Sequence, residues 1–284
     1  MSPQTHENLD HDPLRVPTRK QWDRMSEAER NMKEAQIIAA LEREFNMMGE
    51  TTLHFDARAS ASEVLRRYFK DQGKTVFVAS DLHTLYPGER AFYPDLLVVF
   101  DAANHHRRSW NVLREGKGLD FVLEILSRET KRNDRVEKLN LYARVGIPEY
   151  IIFDPDALKL RGYRLVKNIY QEMAQRDGYC FSNVLGLQVR VDGDKIRLSV
   201  PEGLEIPFAD ELTARLNEKI GRKDKLIADY ARELKVLEQT AETERERAKT
   251  EEQRAEEEKR RADEAEEEIK RLRALLKNGP IHGS

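Results

Sequence analysis

The chain has a single cysteine, Cys180, in 284 residues. No internal disulfide can form, and a reducing compartment fits best. No run approaches the roughly 18 consecutive apolar residues of a membrane helix. The stretch from Met1 to Lys20 is polar and holds no apolar signal core. The expectation is a soluble, cytoplasmic protein with no membrane partner. Aromatic residues make up only 7% and hydrophobic residues 39%, against 36% charged, which is poor in core formers for a wholly globular chain. The deficit is local: Glu, Lys, Arg and Ala dominate the stretch after Pro207, and the part before it can bury a normal core. An excess of positive charge is also missing. The net charge of −3 gives no global signal for nucleic acid, although an acidic tail can balance a basic cleft in the sum.

Several catalytic patterns are absent as well. There is no Gly-rich phosphate loop, and no Gly-x-Ser-x-Gly elbow surrounds Ser127. Ser127 reads instead as a cap for the helix that follows. His105 and His106 are adjacent, with no Cys or acidic partner at a zinc-like spacing. With Arg107, Arg108 and Trp110 they form a segment that is either solvated or a contact for phosphates and bases.

What is present begins with helical spacing. Ser26 followed by Glu27 and Glu29 reads as an N-cap with acidic residues in the first turn. Apolar residues at Met32, Ala35, Ile38, Leu41 and Phe45 continue that helix. A second helix is predicted over Ala59 to Lys70, with Gly73 beyond its end. Short β-branched runs bounded by Pro, Gly and Asp then read as buried strands. These are Thr75–Ala79, Leu96–Phe100, Phe121–Leu126 and Tyr150–Phe153, with a helix over Asn133 to Val145 between the last two. Asp101 to Gly118 reads as a long polar loop. Later strands up to Val200 read as a meander on the domain edge, with Asp192-Gly193 as a hairpin turn. The order implies α/β (α+β) architecture, a central mixed sheet flanked by helices.

Two of these strands carry a carboxylate that a buried strand has no structural need for: Asp95 at the start of one and Glu124 inside the other. A buried ionised carboxylate is costly unless it is paired or binds a metal. If the two strands are antiparallel, the beginning of one lies beside the end of the other, and both carboxylates meet at one sheet edge. Two hard carboxylates with water in the remaining positions is how a protein holds Mg²⁺. The alternatives are a turn residue for Asp95 and a structural ion pair for Glu124.

The residues here carry a resemblance. Pro94-Asp95, Glu124-Ile125-Leu126-Ser127, the string from Lys138 through Tyr142-Ala143-Arg144-Val145-Gly146-Ile147-Pro148-Glu149-Tyr150, and Phe153-Asp154 together resemble the Uma2 family. That family is part of the PD-(D/E)xK nuclease superfamily, with the restriction-endonuclease-like fold. The resemblance covers roughly Val76 to Arg164 and, more loosely, the helix from Ser60 and the meander to Val200. It implies that Asp95 and Glu124 hold Mg²⁺, with Mn²⁺ as a substitute, and that the substrate is DNA. It implies a further acid from the upstream helix, for which Glu63 is the first candidate and Glu44 the second. The chain departs from the superfamily pattern two residues after Glu124, where Leu126 stands in place of Lys. A basic residue from the next helix is expected to substitute: Lys138 first, Lys131 second.

From Leu212 the chain is helical in composition. Ile220, Ile227, Leu234, Ala241, Ala248, Ala255, Ala262, Ile269 and Leu276 recur every seven residues, a coiled-coil spacing. The companion position alternates between Tyr230, Leu237, Ala265 and Leu272 and charged residues such as Glu244 and Glu251. The readings are a homodimer held by this helix or a solitary helix stabilised by i,i+4 ion pairs. The expected organisation is therefore a disordered or extended arm over 1–25, a nuclease-like domain over 26–207 and a helical coiled-coil tail over 211–277. Two functions follow: a metal-dependent endodeoxyribonuclease, or a catalytically inactive nuclease-fold module that docks partners through its tail.

Overall fold

The computed structural model describes residues 12–45, 51–126 and 133–277; Ser127 and Lys131 lie outside the described residues. The described chain opens with α1 (Arg19–Asp23), α2 (Glu27–Phe45) and α3 (Thr52–Asp71). Strands β1 (Val76–Ser80), β2 (His83–Leu85), β3 (Leu96–Phe100) and β4 (Ser109–Asn111) lead to a single turn, α4 (Val112–Glu115). Strand β5 (Phe121–Ile125), helix α5 (Asn133–Arg144) and strand β6 (Glu149–Asp154) come next. Then follow β7 (Lys159–Val166), β8 (Ile169–Glu172), β9 (Gln175–Arg176), β10 (Tyr179–Ser182), β11 (Leu187–Asp192) and β12 (Lys195–Ser199). The last element is α6 (Ala209–Lys277). The chain divides into two compact units, Met1–Leu212 and Thr213–Ser284.

In the first unit a six-stranded mixed sheet has the order β1-β3-β5-β6-β7-β8. Strand β3 is antiparallel to β1 and to β5, whereas β5 and β6 are parallel. Parallel neighbours need a crossover connection, and α5 lies in that connection. The central strands are buried on both faces, so they read as continuous apolar runs rather than alternating ones. The pleat still sorts their side chains. Leu96, Val98, Phe121, Leu123 and Ile125 pack with Ala61, Leu65 and Phe69 of α3. Leu97, Val99, Val122 and Leu126 pack on the opposite side with Tyr142 and Ile147. A second sheet, β12-β11-β10-β9, adds Cys180, Leu187, Val189, Ile196 and Leu198 to the α3 side.

The structure corrects four expectations. Residues 12–25 are not an extended arm: Leu14, Val16 and Trp22 are buried with Ile37 and Leu41. Helix α3 begins at Thr52 rather than Ala59, because the Thr51 hydroxyl accepts from the His54 amide at 3.3 Å and caps the first turn. The segment Asp101 to Gly118 is not one loop. Within it β4 pairs in parallel with β2, Trp110 is buried, and the Arg107 guanidinium lies over the rings of Phe77 and Trp110. The later strands are not one meander: β7 and β8 extend the main sheet, and β9 to β12 make their own. The Asp192-Gly193 hairpin is present, joining β11 to β12 with Gly193 at φ 61°.

Helix α6 has 69 residues, about 100 Å at 1.5 Å per residue. Side chains from 213 to 274 are all exposed, including Ile220, Ile227, Tyr230, Leu234 and Leu237 of the heptad positions.

Candidate active site

The β3–β5 register pairs Leu96 with Leu123 and Leu97 with Val122. One step further along the same register sets Asp95, just before β3, opposite Glu124, near the end of β5. The strands are antiparallel, so the start of one lies beside the end of the other. By pleat parity both residues share the sheet face of Leu97 and Val122, the face that α5 covers. The Asp95 carboxylate also reaches across the pair: Ile125 N donates to its Oδ2 at 2.6 Å.

Glu124 is 2% exposed. Lys138 Nζ donates to its Oε2 at 2.8 Å, and the Tyr142 hydroxyl donates to its Oε1. Lys138 and Tyr142 are four residues apart, so one face of α5 delivers both groups. The end of α5 is pinned. Ile147 N bonds to Tyr142 O and Gly146 N to Ala143 O, the paired bonds of a Schellman cap. Gly146 stands at φ 80°, where a side chain is disfavoured, and Ile147 is fully buried beside Tyr142.

Leu126 lies two residues after Glu124 and therefore on the same face. It is buried in the apolar cluster with Tyr142. The position that carries lysine in the superfamily pattern is thus core here, and an amine arrives at Glu124 from α5 instead.

A residue that sequence reasoning missed stands on the other side of Asp95. His54, in the first turn of α3, has Nε2 at 2.8 Å from Ile125 O and 3.4 Å from Asp95 Oδ2. A carbonyl only accepts, so Nε2 is the protonated nitrogen in this arrangement. The signal was Thr51: read as an N-cap, it starts the helix early enough to include His54. Glu63, expected to add an acid, instead forms an i,i+4 pair with Arg67. Glu44 pairs with Arg90. Helix α3 thus reaches the carboxylates through His54, not through Glu63. Lys131 lies outside the described residues.

The two carboxylates behave differently. Burial works against the charge on Asp95, but the His54 hydrogen bond, the nearby Lys138 and the Ile125 amide outweigh it and hold the carboxyl below its ordinary value. Burial pushes Glu124 up to about 8; the charge of Lys138 opposes this and that of Asp95 adds to it. Among the described residues Lys138 Nζ stands on Glu124 and His54 Nε2 on Asp95, and a proton held on Glu124 relieves the burial of its charge. A divalent cation would relieve it as well, and a carboxylate pair with water completing the shell suits Mg²⁺. Among the described residues no three His, Cys, Asp or Glu side chains are grouped to hold an ion.

No curated protein matches the chain. Among solved structures the fold is similar to that of a putative nuclease belonging to DUF820 from Anabaena variabilis ATCC 29413. The two are 14% identical with a TM-score of 0.40, over 49% of this chain and 76% of that one. The model of the Uma2 family, described as "Putative restriction endonuclease", matches residues 32–192. That span contains both opposed carboxylates, His54, Lys138 and the whole of α5; the chain belongs to the Uma2 family.

Proposed function

We propose that the protein is a metal-dependent endonuclease that hydrolyses phosphodiester bonds in DNA, with Mg²⁺ as the resident ion and Mn²⁺ as a substitute. The observation that carries this is the opposition of Asp95 and Glu124 across β3 and β5, with Lys138 Nζ on Glu124 and the charge of Glu124 disfavoured by its burial. Asp95 and Glu124 would hold the ion. When bound, it supplies Lewis-acid polarisation of a phosphoryl oxygen and a water of lowered pKa. Lys138 keeps positive charge at the site and stabilises the negative charge that builds on the phosphate. His54 holds the Asp95 side in place through the Ile125 carbonyl. The exposed heptad residues of α6 support a homodimer, and cutting both strands of a duplex suits two protomers. The single cysteine, itself buried, fits a cytoplasmic location. Among the described residues no helix is long and apolar enough to cross a membrane.

One observation favours a second reading. Both Glu124 oxygens are already engaged, by Lys138 and by Tyr142. A closed structural ion pair of this kind suits an inactive fold whose working part is α6. The experiment that separates the two is cleavage of plasmid and linear DNA by purified protein across Mg²⁺ and Mn²⁺ titrations. Calorimetric Mg²⁺ binding is measured in parallel, with Asp95→Ala and Glu124→Ala as variants. Loss of both cleavage and ion binding in each variant supports the nuclease. Equal behaviour of wild type and variants sinks it in favour of the docking module.

A further inference from the structure

We infer, building on the nuclease reading above, that the groove between α3 and β1 carries the sugar–phosphate backbone of the DNA strand entering the site. The groove has a volume of about 910 Å³. Among the described residues five cations line it, Arg58, Arg66, Arg67, Lys70 and Lys74, against one carboxylate, Glu63. Arg58 is tied to Asp81 and Arg67 to Glu63. Among the described residues no carboxylate pairs with Arg66, Lys70 or Lys74, and all three are exposed.

The arrangement is a row rather than a scatter. Arg66 and Lys70 are one turn apart, about 6 Å along the helix, and Lys74 follows just past the helix end. Arg66 Nε donates to Val78 O at 2.9 Å, which anchors its stem against β1. One end of the groove lies beside the strand edge that carries Asp95. Ser80, which lines the groove, pairs with Leu96, the residue after Asp95. Arg58 lies one turn beyond His54, and Phe55, 52% exposed, flanks the groove beside it. A free-standing cation row alone is a common solvated helix face. An exposed aromatic ring at the catalytic end of the row adds the second element of strand binding: phosphates meet cations while a base stacks on the ring.

The test uses full-length protein and a fluorescein-labelled oligonucleotide, single-stranded and duplex in separate arms, with EDTA present to hold off cleavage. Affinity is read by fluorescence anisotropy from 50 to 300 mM salt. The variants are Lys70→Glu with Lys74→Glu, and separately Phe55→Ala. Lys159→Glu with Lys167→Glu, at the start of β7 and in the turn after it, serves as the charge-matched control, and circular dichroism verifies folding. The groove predicts a weakening on the order of tenfold for the Lys70/Lys74 pair, with the slope of log affinity against log salt reduced by about 1.5. Phe55→Ala is expected to weaken single-strand binding by about tenfold. Wild-type affinity and slope in the Lys70/Lys74 pair overturn the groove, and so does an absence of DNA binding by wild type. If wild type binds through the groove but Asp95→Ala leaves cleavage unchanged, the groove stands and the nuclease site falls.

Discussion

Lys138 Nζ lies 2.8 Å from Glu124 Oε2, although fourteen residues separate the two in the chain. Replacing Lys138 with Met keeps the stem and removes the charge. Cleavage is expected to fall by about 10²–10³, the usual loss of one preorganised charge-stabilising donor. Initial nicking rates at saturating Mg²⁺ measure it, and a thermal melt verifies the fold. A Lys138→Met protein that cuts at the wild-type rate would remove this lysine from the chemistry.

His54 holds a buried carbonyl and an acid at once. His54→Ala leaves the Ile125 carbonyl without that donor. Urea unfolding should show a loss of about 1–3 kcal/mol. His54→Gln retains a donor and should recover part of it. An unchanged midpoint in His54→Ala would mean that the imidazole contributes nothing to this edge.

Glu149 is 1% exposed and accepts from Arg164 Nε, the Ser182 hydroxyl and the amides of Asn183 and Val184. It ties β6 of the main sheet to the end of β10 in the second. Glu149→Ala strips the charged centre from this network and leaves several donors unmatched, a loss of about 3–5 kcal/mol. For a domain of this size the melting temperature should drop on the order of 10 °C.

Burial pushes the Cys180 thiol up to about 11, with the nearby Glu149 charge acting in the same direction. At pH 8 roughly one thiol in a thousand is ionised. A disulfide reagent should leave the native protein unlabelled for hours and titrate one thiol after denaturation. Rapid native labelling at pH 8 would contradict the burial of this side chain.

The apolar heptad residues Ile227 and Leu234 are 65% and 60% exposed on α6. An isolated helix gains nothing from that exposure, whereas a paired one buries it. Ile227→Lys with Leu234→Lys should convert a dimer to a monomer in sedimentation equilibrium while leaving the melting of the first unit unchanged. A wild-type monomer at tens of micromolar would remove the dimer from the proposal.

The sequence made the centre of the fold legible and its margins much less so. Strands β3, β5 and β6 stand out because burial on both faces forces unbroken apolar runs. Glu124 is conspicuous because it interrupts such a run and Asp95 because it opens one. Antiparallel pairing brings the two ends together, and the Leu96–Leu123 register sets the two residues opposite. Lys138 was reached through the family resemblance, which implies an amine from the next helix where Leu126 replaces the strand lysine. His54 was not, since Leu53 is the single apolar residue of Thr51-Thr52-Leu53-His54 and one residue sets no helical period; only the capping threonine marks the start. Glu63 was named because the resemblance implies an acid from the upstream helix; in the structure it pairs with Arg67, and helical spacing does not say which face of α3 meets the sheet edge. Strand β4 was missed because three residues cannot establish a period, and its pairing with β2 is a tertiary contact.

Moving the amine from strand to helix separates two events that a strand would join. A lysine two places after the glutamate lands beside it as soon as β5 is pleated, whatever happens elsewhere. Lys138 reaches Glu124 only when α5 seats Tyr142 and caps itself over Ile147. The charge at the acidic pair therefore depends on the seating of a single twelve-residue helix, and a packing change at Ile147 or Gly146 is expected to disturb the pair with every charged residue intact.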